Sequence, residues 1–231
     1  CSRDWSSDVC SSDLGIISAI FCFFTRQYVL GMLILCYSQM QLSEMIIWYG
    51  IDHDNDKINK VGTSVGKYLL PMHNIAIGIG VILSVFFLSK KKLDFKDFIP
   101  LLVGVLFYIF VVVAYYSRKV FPSTTQPLDP ESCKIDKFRC QNSKNRLQWP
   151  YPHGWYSISF VISMLITYFY IHPLKLKLWL MGVFTITFMI SLLFVSEKAV
   201  GSIWCFSTAL LAPVISIGGY LLTRNETNIL A

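Results

Sequence analysis

The residues able to do chemistry in this chain sit inside apolar surroundings. The stretch CYSQMQLSEMIIWYG places Tyr37, Gln41, Glu44 and Trp48 at i, i+4, i+7 and i+11, one face of a helix. A second stretch, GKYLLPMHNIAIGIG, carries His73 and Asn74 just after Pro71. A third, KAVGSIWCFSTALLAPVIS, sets Gly201, Ser202, Cys205 and Thr208 on a small-residue face with Trp204 beside them. A carboxyl and an imidazole enclosed in hydrocarbon can carry or sense a proton, because histidine titrates near neutral pH. A lone carboxylate in a membrane span costs at least about 2.5 kcal/mol, so each such group is a candidate site. Structural roles compete with these readings. Gln41 can serve as an interhelical hydrogen bond worth about 1 kcal/mol, and the Ser202 face as a close helix contact. His73 can rest, neutral, on a backbone carbonyl.

The candidates share a depth. Glu44 is near the end of one apolar span, His73 near the start of the next, and Ser202 and Trp204 near the start of the last. With alternating helix directions all lie about 9 Å below one surface, at 1.5 Å per residue. Glu44 and His73 are therefore expected to face one another, directly or through one water. The loop over that surface ends in LQWPYPHGWYSIS. Its Trp149, His153 and Trp155, with Tyr151 and Tyr156, are expected to cap the bundle, although an interfacial aromatic belt has the same composition.

The elements that must position these groups are long and apolar. Of 231 residues, 54% are hydrophobic and only 15% charged, and mean hydropathy is +0.53. Disorder needs the opposite composition. Continuous apolar runs occur at about 15–24, 28–50, 67–89, 98–117, 155–172, 176–195 and 200–222, and a helix needs about 20 residues to cross the hydrocarbon core. Backbone groups in lipid must be satisfied within each segment, so the runs read as α-helices rather than alternating barrel strands. The expected fold is all-α: a polytopic bundle of seven membrane helices, the first truncated, over 15–222. A long loop spans 118–154, and a short polar tail spans 223–231.

Residues 1–14, CSRDWSSDVCSSDL, are polar and change abruptly to GIISAIFCFF. They have the look of translated sequencing-adapter read-through, in which case they lie outside the fold. They hold Arg3 against Asp4, Asp8 and Asp13, so their removal takes the net charge from +6 to +8. Of the cysteines, Cys22, Cys36 and Cys205 lie in spans as small apolar residues. Cys133 and Cys140 lie seven positions apart in the polar loop and are expected to form a disulfide, which places that loop, and the N-terminus, outside. Two thiols fall short of the four ligands of a structural zinc site, and no metal, cofactor or nucleic-acid site is read elsewhere. Lys90, Lys91, Lys92 and Lys96 between the third and fourth runs favour a cytoplasmic face there, with the C-terminus inside. The sequon Asn225-Glu226-Thr227 points the other way.

The set MQLSEMIIW, LPMHNIAIGIG, WPYPHGWY and GSIWCF resembles a family of multi-pass membrane proteins found in giant viruses, algae and aquatic metagenomes. The resemblance spans roughly residues 28–222 through short patches, and it implies a helical membrane fold and no particular activity. The SEMIIW stretch also faintly resembles the pattern of alkaline ceramidases, whose last-span histidine has no counterpart here.

The expected protein is thus an integral membrane bundle in contact with lipid. Its polar outer-half cavity binds or transports a small ligand, proton-linked through Glu44 and His73. Gln41, Trp48, Asn74, Ser202 and Trp204 line that site. A membrane hydrolase using Glu44, His73 and His153, or a structural scaffold, are the alternatives.

Overall fold

The computed structural model describes residues 5–88, 92–117, 122–129, 138, 146–149, 155–194 and 199–230. Among these the elements are α1 (Trp5–Phe24), α2 (Tyr28–Asp52), α3 (Asp56–Leu69), α4 (Met72–Leu88), α5 (Phe95–Val111), α6 (Trp155–Phe169), α7 (Leu174–Phe194), α8 (Val200–Leu210) and α9 (Ala212–Leu230). The end of α5 passes into a π-helical turn, Val112–Tyr116, and two short strands, β1 (Gln126–Pro127) and β2 (Leu147–Gln148), pair antiparallel. The all-α class expected from the apolar runs is observed.

Three helices are long and apolar enough to cross a membrane, and up to five if each of two bent pairs is one span. The seven apolar runs therefore map onto the helices unevenly. The third was expected to begin at 67, but the helical path begins at Asp56: α3 and α4 form one line broken by 52° around Pro71. A second break of 57° separates α8 from α9 just before Pro213. Proline lacks the N–H that would continue the ladder and crowds the carbonyl one turn back, so both bends have a local cause.

The distribution of polarity is inverted relative to a bundle made for water. Ser38, Gln41, Ser43, Glu44, His73, Asn74, Thr167, Ser202 and Thr208 are buried, while Leu106, Ile109, Ile162, Leu165, Ile186, Met189, Ile190, Val214 and Ile217 are exposed. Exposed apolar surface on this scale needs an apolar partner. Most buried hydroxyls cost little. Ser38 donates to Ile34 O at 2.8 Å, Thr208 to Trp204 O at 2.8 Å and Ser191 to Thr187 O at 2.9 Å, each one turn back along its own helix.

At the centre stands α2. It packs on α1, α3, α4 and α8, and its apolar window is 67% buried against 22% for α5 with its π turn and 28% for α7. The broken line α3–α4 runs antiparallel along α2. Ser43 Oγ donates to Gly62 O at 2.8 Å, the Tyr37 and His73 rings lie 4.4 Å apart, and the Tyr28 and Phe87 rings 5.3 Å apart. Asn55 starts α3 by accepting from the amides of Lys57 (3.1 Å) and Ile58 (3.3 Å), satisfying two otherwise orphaned donors.

Residues 5–14, expected to lie outside the fold, continue α1 without a break. Ser11 Oγ donates to Gln41 Oε1 at 3.3 Å and Ser12 Oγ to Ser38 O at 3.2 Å. Cys133 and Cys140, and with them the expected disulfide, lie outside the described residues, as does His153.

Helix α4 meets α5 at near backbone contact. A Cβ on Gly104 would stand 2.7 Å from the carbonyl carbon of Asn74 and 2.7 Å from Ile75 N, whereas one on Gly182 would meet nothing within 4 Å. Gly104→Ala should therefore cost about 1–3 kcal/mol, the usual penalty of overpacking against atoms that cannot rotate away. Gly182→Ala should leave the protein unchanged or slightly more stable. Thermal melting of the two variants in detergent checks the contrast.

Candidate functional site

Glu44 lies on α2 where α3, α8 and the loop between α5 and α6 meet. Its carboxyl is fully buried. Trp149 Nε1 donates to Oε1 at 2.7 Å and Ser202 Oγ donates to Oε2 at 2.8 Å, so each oxygen has its own donor. The Arg146 guanidinium is within electrostatic range, and it covers the Phe206 ring at 4.1 Å. Two donors and a neighbouring cation are the surroundings a buried carboxylate needs.

The loop reaches this position because it is fastened to α3. Asn59 Nδ2 donates to Thr125 O at 2.9 Å, and Thr125 N donates to Asn59 Oδ1 at 3.1 Å and to Thr63 Oγ1 at 3.0 Å. Thr63 Oγ1 also bonds Thr125 Oγ1 at 3.1 Å. From there β1 pairs with β2, Leu128 N donates to Arg146 O at 2.9 Å, and Trp149 follows one residue after β2. Gly66 leaves the space for its indole: a Cβ there would stand 2.4 Å from Trp149 Cη2 and 2.5 Å from Ser43 Oγ. The ladder thus aims an indole N–H downward at α2, and a small residue on α3 admits it.

A second group of polar atoms lies further along α2. Tyr37 is buried, with its ring against His73 at 4.4 Å, stacked on Phe184 at 5.2 Å and edge-on to Trp204 at 5.6 Å. His73 Nδ1 is 2.5 Å from Leu70 O. Asn74 Nδ2 donates to Ser163 Oγ at 2.6 Å, which donates onward to Phe160 O at 2.9 Å. Tyr168 is also buried and stacks on Phe184 at 6.5 Å. Four polar atoms here have no hydrogen-bond partner among the described residues: Tyr37 Oη, His73 Nε2, Asn74 Oδ1 and Tyr168 Oη. A fifth such atom, Gln27 Oε1, sits apart at the α1–α2 turn. Helices α2, α4, α6, α7 and α8 supply the rings of this aromatic cluster.

The expected Glu44–His73 contact is not what the geometry offers. Both Glu44 oxygens are engaged elsewhere, and His73 lies beside Tyr37, seven residues or about 10 Å back along α2 at 1.5 Å per residue. Because α3 precedes α4, the residue level with Glu44 on the broken line is near Gly66, not His73. Cys205 is buried within electrostatic range of both Glu44 and Tyr37. Of the other candidates, Gln41 receives Ser11, Trp48 is buried in the core, and Trp204 Nε1 donates to Thr187 Oγ1 on α7 at 3.1 Å. Trp155 opens α6, but its side chain is outside the described ones. Trp149, expected to be a cap, proves to be a direct carboxyl partner. Arg146, Ser163, Thr187 and Tyr168 were not singled out from sequence. Tyr168 sits among Ser163, Thr167 and Tyr170 in the same run, and nothing local sets it apart from them.

Removing the indole N–H while keeping an aromatic ring should expose the dependence of Glu44 on its donor. Trp149→Phe should destabilise the protein by about 1–3 kcal/mol, the cost of an unmet buried acceptor. The same change in a Glu44→Met background should cost much less, since no carboxyl is left to satisfy. Unfolding of the four proteins in detergent measures both differences. Comparison of the chain with protein-family models, with curated proteins and with solved structures found no match.

Proposed function

We propose that this is an integral membrane protein that binds or transports a small ligand in the chamber between its helices, with the loop carrying Trp149 closing one end. The observation that carries the reading is the set of four buried, unpartnered polar atoms in one aromatic-walled region. Each such atom forfeits about 1–3 kcal/mol unless something meets it. A bundle serving only as scaffold gains nothing from them. The inverted polarity supports the membrane setting, and the shorter apolar helices Val9–Phe24 and Ile158–Phe169 would bring the spans from five to seven.

In this reading Glu44 is the keeper of the loop. Trp149 and Ser202 hold opposite oxygens of one carboxyl, so the loop and α8 are tied to α2 through a single side chain. Loss of either bond frees the path toward Cys205 and Tyr37. Proton linkage then enters through Glu44 alone: a protonated carboxyl holds the indole less firmly than a carboxylate does. Among the described residues no three histidine, cysteine or carboxylate side chains stand together as metal ligands, and both Glu44 oxygens are occupied, so no observation favours the hydrolase reading.

Cys205 reports on access, being buried between the two groups. In liposomes holding the full chain, a water-soluble thiol reagent should modify Cys205 at least about tenfold faster in Trp149→Ala than in the native protein, as read by peptide mass spectrometry. Equal protection in both would mean a closed, dry bundle and would leave the scaffold reading.

The proposed orientation puts the 118–154 loop outside and the Lys175–Lys177 turn inside. A membrane-impermeant amine reagent on intact cells should label Lys134 and Lys137 and spare Lys175 and Lys177. The reverse pattern would invert the topology and make the Asn225 sequon accessible to glycosylation.

A further inference from the structure

Pro71 has no N–H, so the carbonyl four residues back, Lys67 O, loses the donor that a continuous helix would bring to it. This is the 52° break between α3 and α4. Side chains meet the carbonyls there instead. The Tyr116 hydroxyl donates to Lys67 O, and Cys36 Sγ approaches Leu69 O at 4.0 Å. His73 Nδ1 lies 2.5 Å from Leu70 O; a carbonyl only accepts, so Nδ1 carries the proton. Cys36 and His73 belong to the helices lying along the break. Tyr116 comes from the end of α5, 49 residues on. At the second break the carbonyl that Pro213 deprives is Ala209 O, and it faces the amide of Leu211 in its own chain.

A π turn delivers Tyr116. Ser117 N donates to Val112 O at 2.9 Å, five residues back rather than four. One extra residue rotates everything after it by about 100° relative to an unbroken α-helix. The turn therefore decides which of two adjacent tyrosines faces α3. Tyr115 packs on Phe110 of its own helix at 5.8 Å. Tyr116 is buried, with the Tyr68 ring edge-on at 5.3 Å and Lys67 Nζ 4.9 Å from its ring centroid. Helical side chains lean toward the N-terminus of their helix, so the hydroxyl reaches back along α5 to the break. Next to Lys67 is Gly66, the position on α3 that admits the Trp149 indole. The angle at which α3 leaves the break thus bears on how Trp149 meets Glu44.

We propose that the Tyr116 hydroxyl replaces the N–H that Pro71 lacks, and that the π turn at the end of α5 thereby sets the bend between α3 and α4. The device is conformational: a third helix supplies the donor that the broken one is missing and fixes its angle. It holds whether or not a ligand binds near Tyr37. Without the hydroxyl, Lys67 O is left unmet at the break, and the arm that carries Asn59, Thr63 and Gly66 loses its tie to α5.

The test uses the full chain in phosphatidylcholine nanodiscs. Tyr116→Phe keeps the ring against Tyr68 and removes only the hydroxyl. It should lower the melting temperature by about 3 °C or more, the shift expected when a buried acceptor loses its donor in a chain of this size. The same change in a Pro71→Ala background should cost much less, because the restored N–H can return to Lys67 O. Tyr68→Phe, which alters the neighbouring exposed ring, should leave the melting temperature unchanged. Amide hydrogen exchange gives a local reading that does not depend on the proline variant. Peptides from Asp56–Leu69 should exchange at least about fivefold faster in Tyr116→Phe, with those from the middle of α7 unaltered. Equal cost of Tyr116→Phe in both backgrounds overturns the proposal, since the hydroxyl would then serve something other than the missing proline donor. So does a loss in Tyr68→Phe as large as in Tyr116→Phe, which would assign the effect to ring packing, or unchanged exchange in α3.

Discussion

A carboxyl group cannot be left alone in an apolar interior, and the arrangement around Glu44 follows from that constraint. Burying it unpaired costs several kcal/mol, about what its partners must offset. The partners come from distant parts of the chain: Trp149 is 105 residues away and Ser202 is 158. One buried side chain therefore joins the central helix, the long loop and the start of α8. The Asn59–Thr63–Thr125 cluster and the short β1–β2 ladder can be read as the apparatus that holds Trp149 in place. Without the carboxyl, little obliges this loop to dip below the surface it crosses.

The same constraint explains why small residues gather where they do. Asn59, Gly62, Thr63 and Gly66 are the buried face of α3, and they let it lie close along the end of α2. At Gly66 the missing side chain is filled by the Trp149 indole. Small residues let the two backbones approach closely enough for packing and hydrogen bonds to hold them. Glu44 thus sits between the Trp149 indole and the Ser202 hydroxyl, and its donors reach it from two directions.

How far the sequence alone leads can be judged at particular residues. Glu44 was legible as a buried group because a carboxyl in a long apolar run has few other fates, and Tyr37, Gln41 and Trp48 follow from helical spacing. The two bends were legible from Pro71 and Pro213. The Glu44–His73 pairing was not, and the reason is specific. The stretch DNDKINKVGTSVGKYL is too polar to register as part of a span, so the third helix was expected to start eleven residues late. Its helical signals were present: Asn55 as a cap and small residues at 59, 62, 63 and 66. Counting depth from the wrong start made two residues that differ by about two helical turns look level. Trp149 illustrates a different limit. Its type was noticed, but nothing local says which of several loop aromatics turns inward.

The two polar groups answer different demands, and their chemistry separates them. Glu44 is satisfied on both oxygens, as a group with a structural duty must be. Tyr37 is not. A phenylalanine at position 37 would keep the stacking on Phe184 and the contacts with His73 and Trp204 that the ring makes now, and it would remove a buried hydroxyl that has no partner. The same holds for Tyr168 against Phe184. Packing therefore accounts for the rings and leaves the hydroxyls unexplained. His73 and Asn74 add two unmet acceptors, so the unpartnered atoms of this group come from α2, α4 and α6. The polar atoms at Glu44 and at Asn59 are paired and those around Tyr37 are not, so tied and unmet polarity stand seven positions apart on the one central helix.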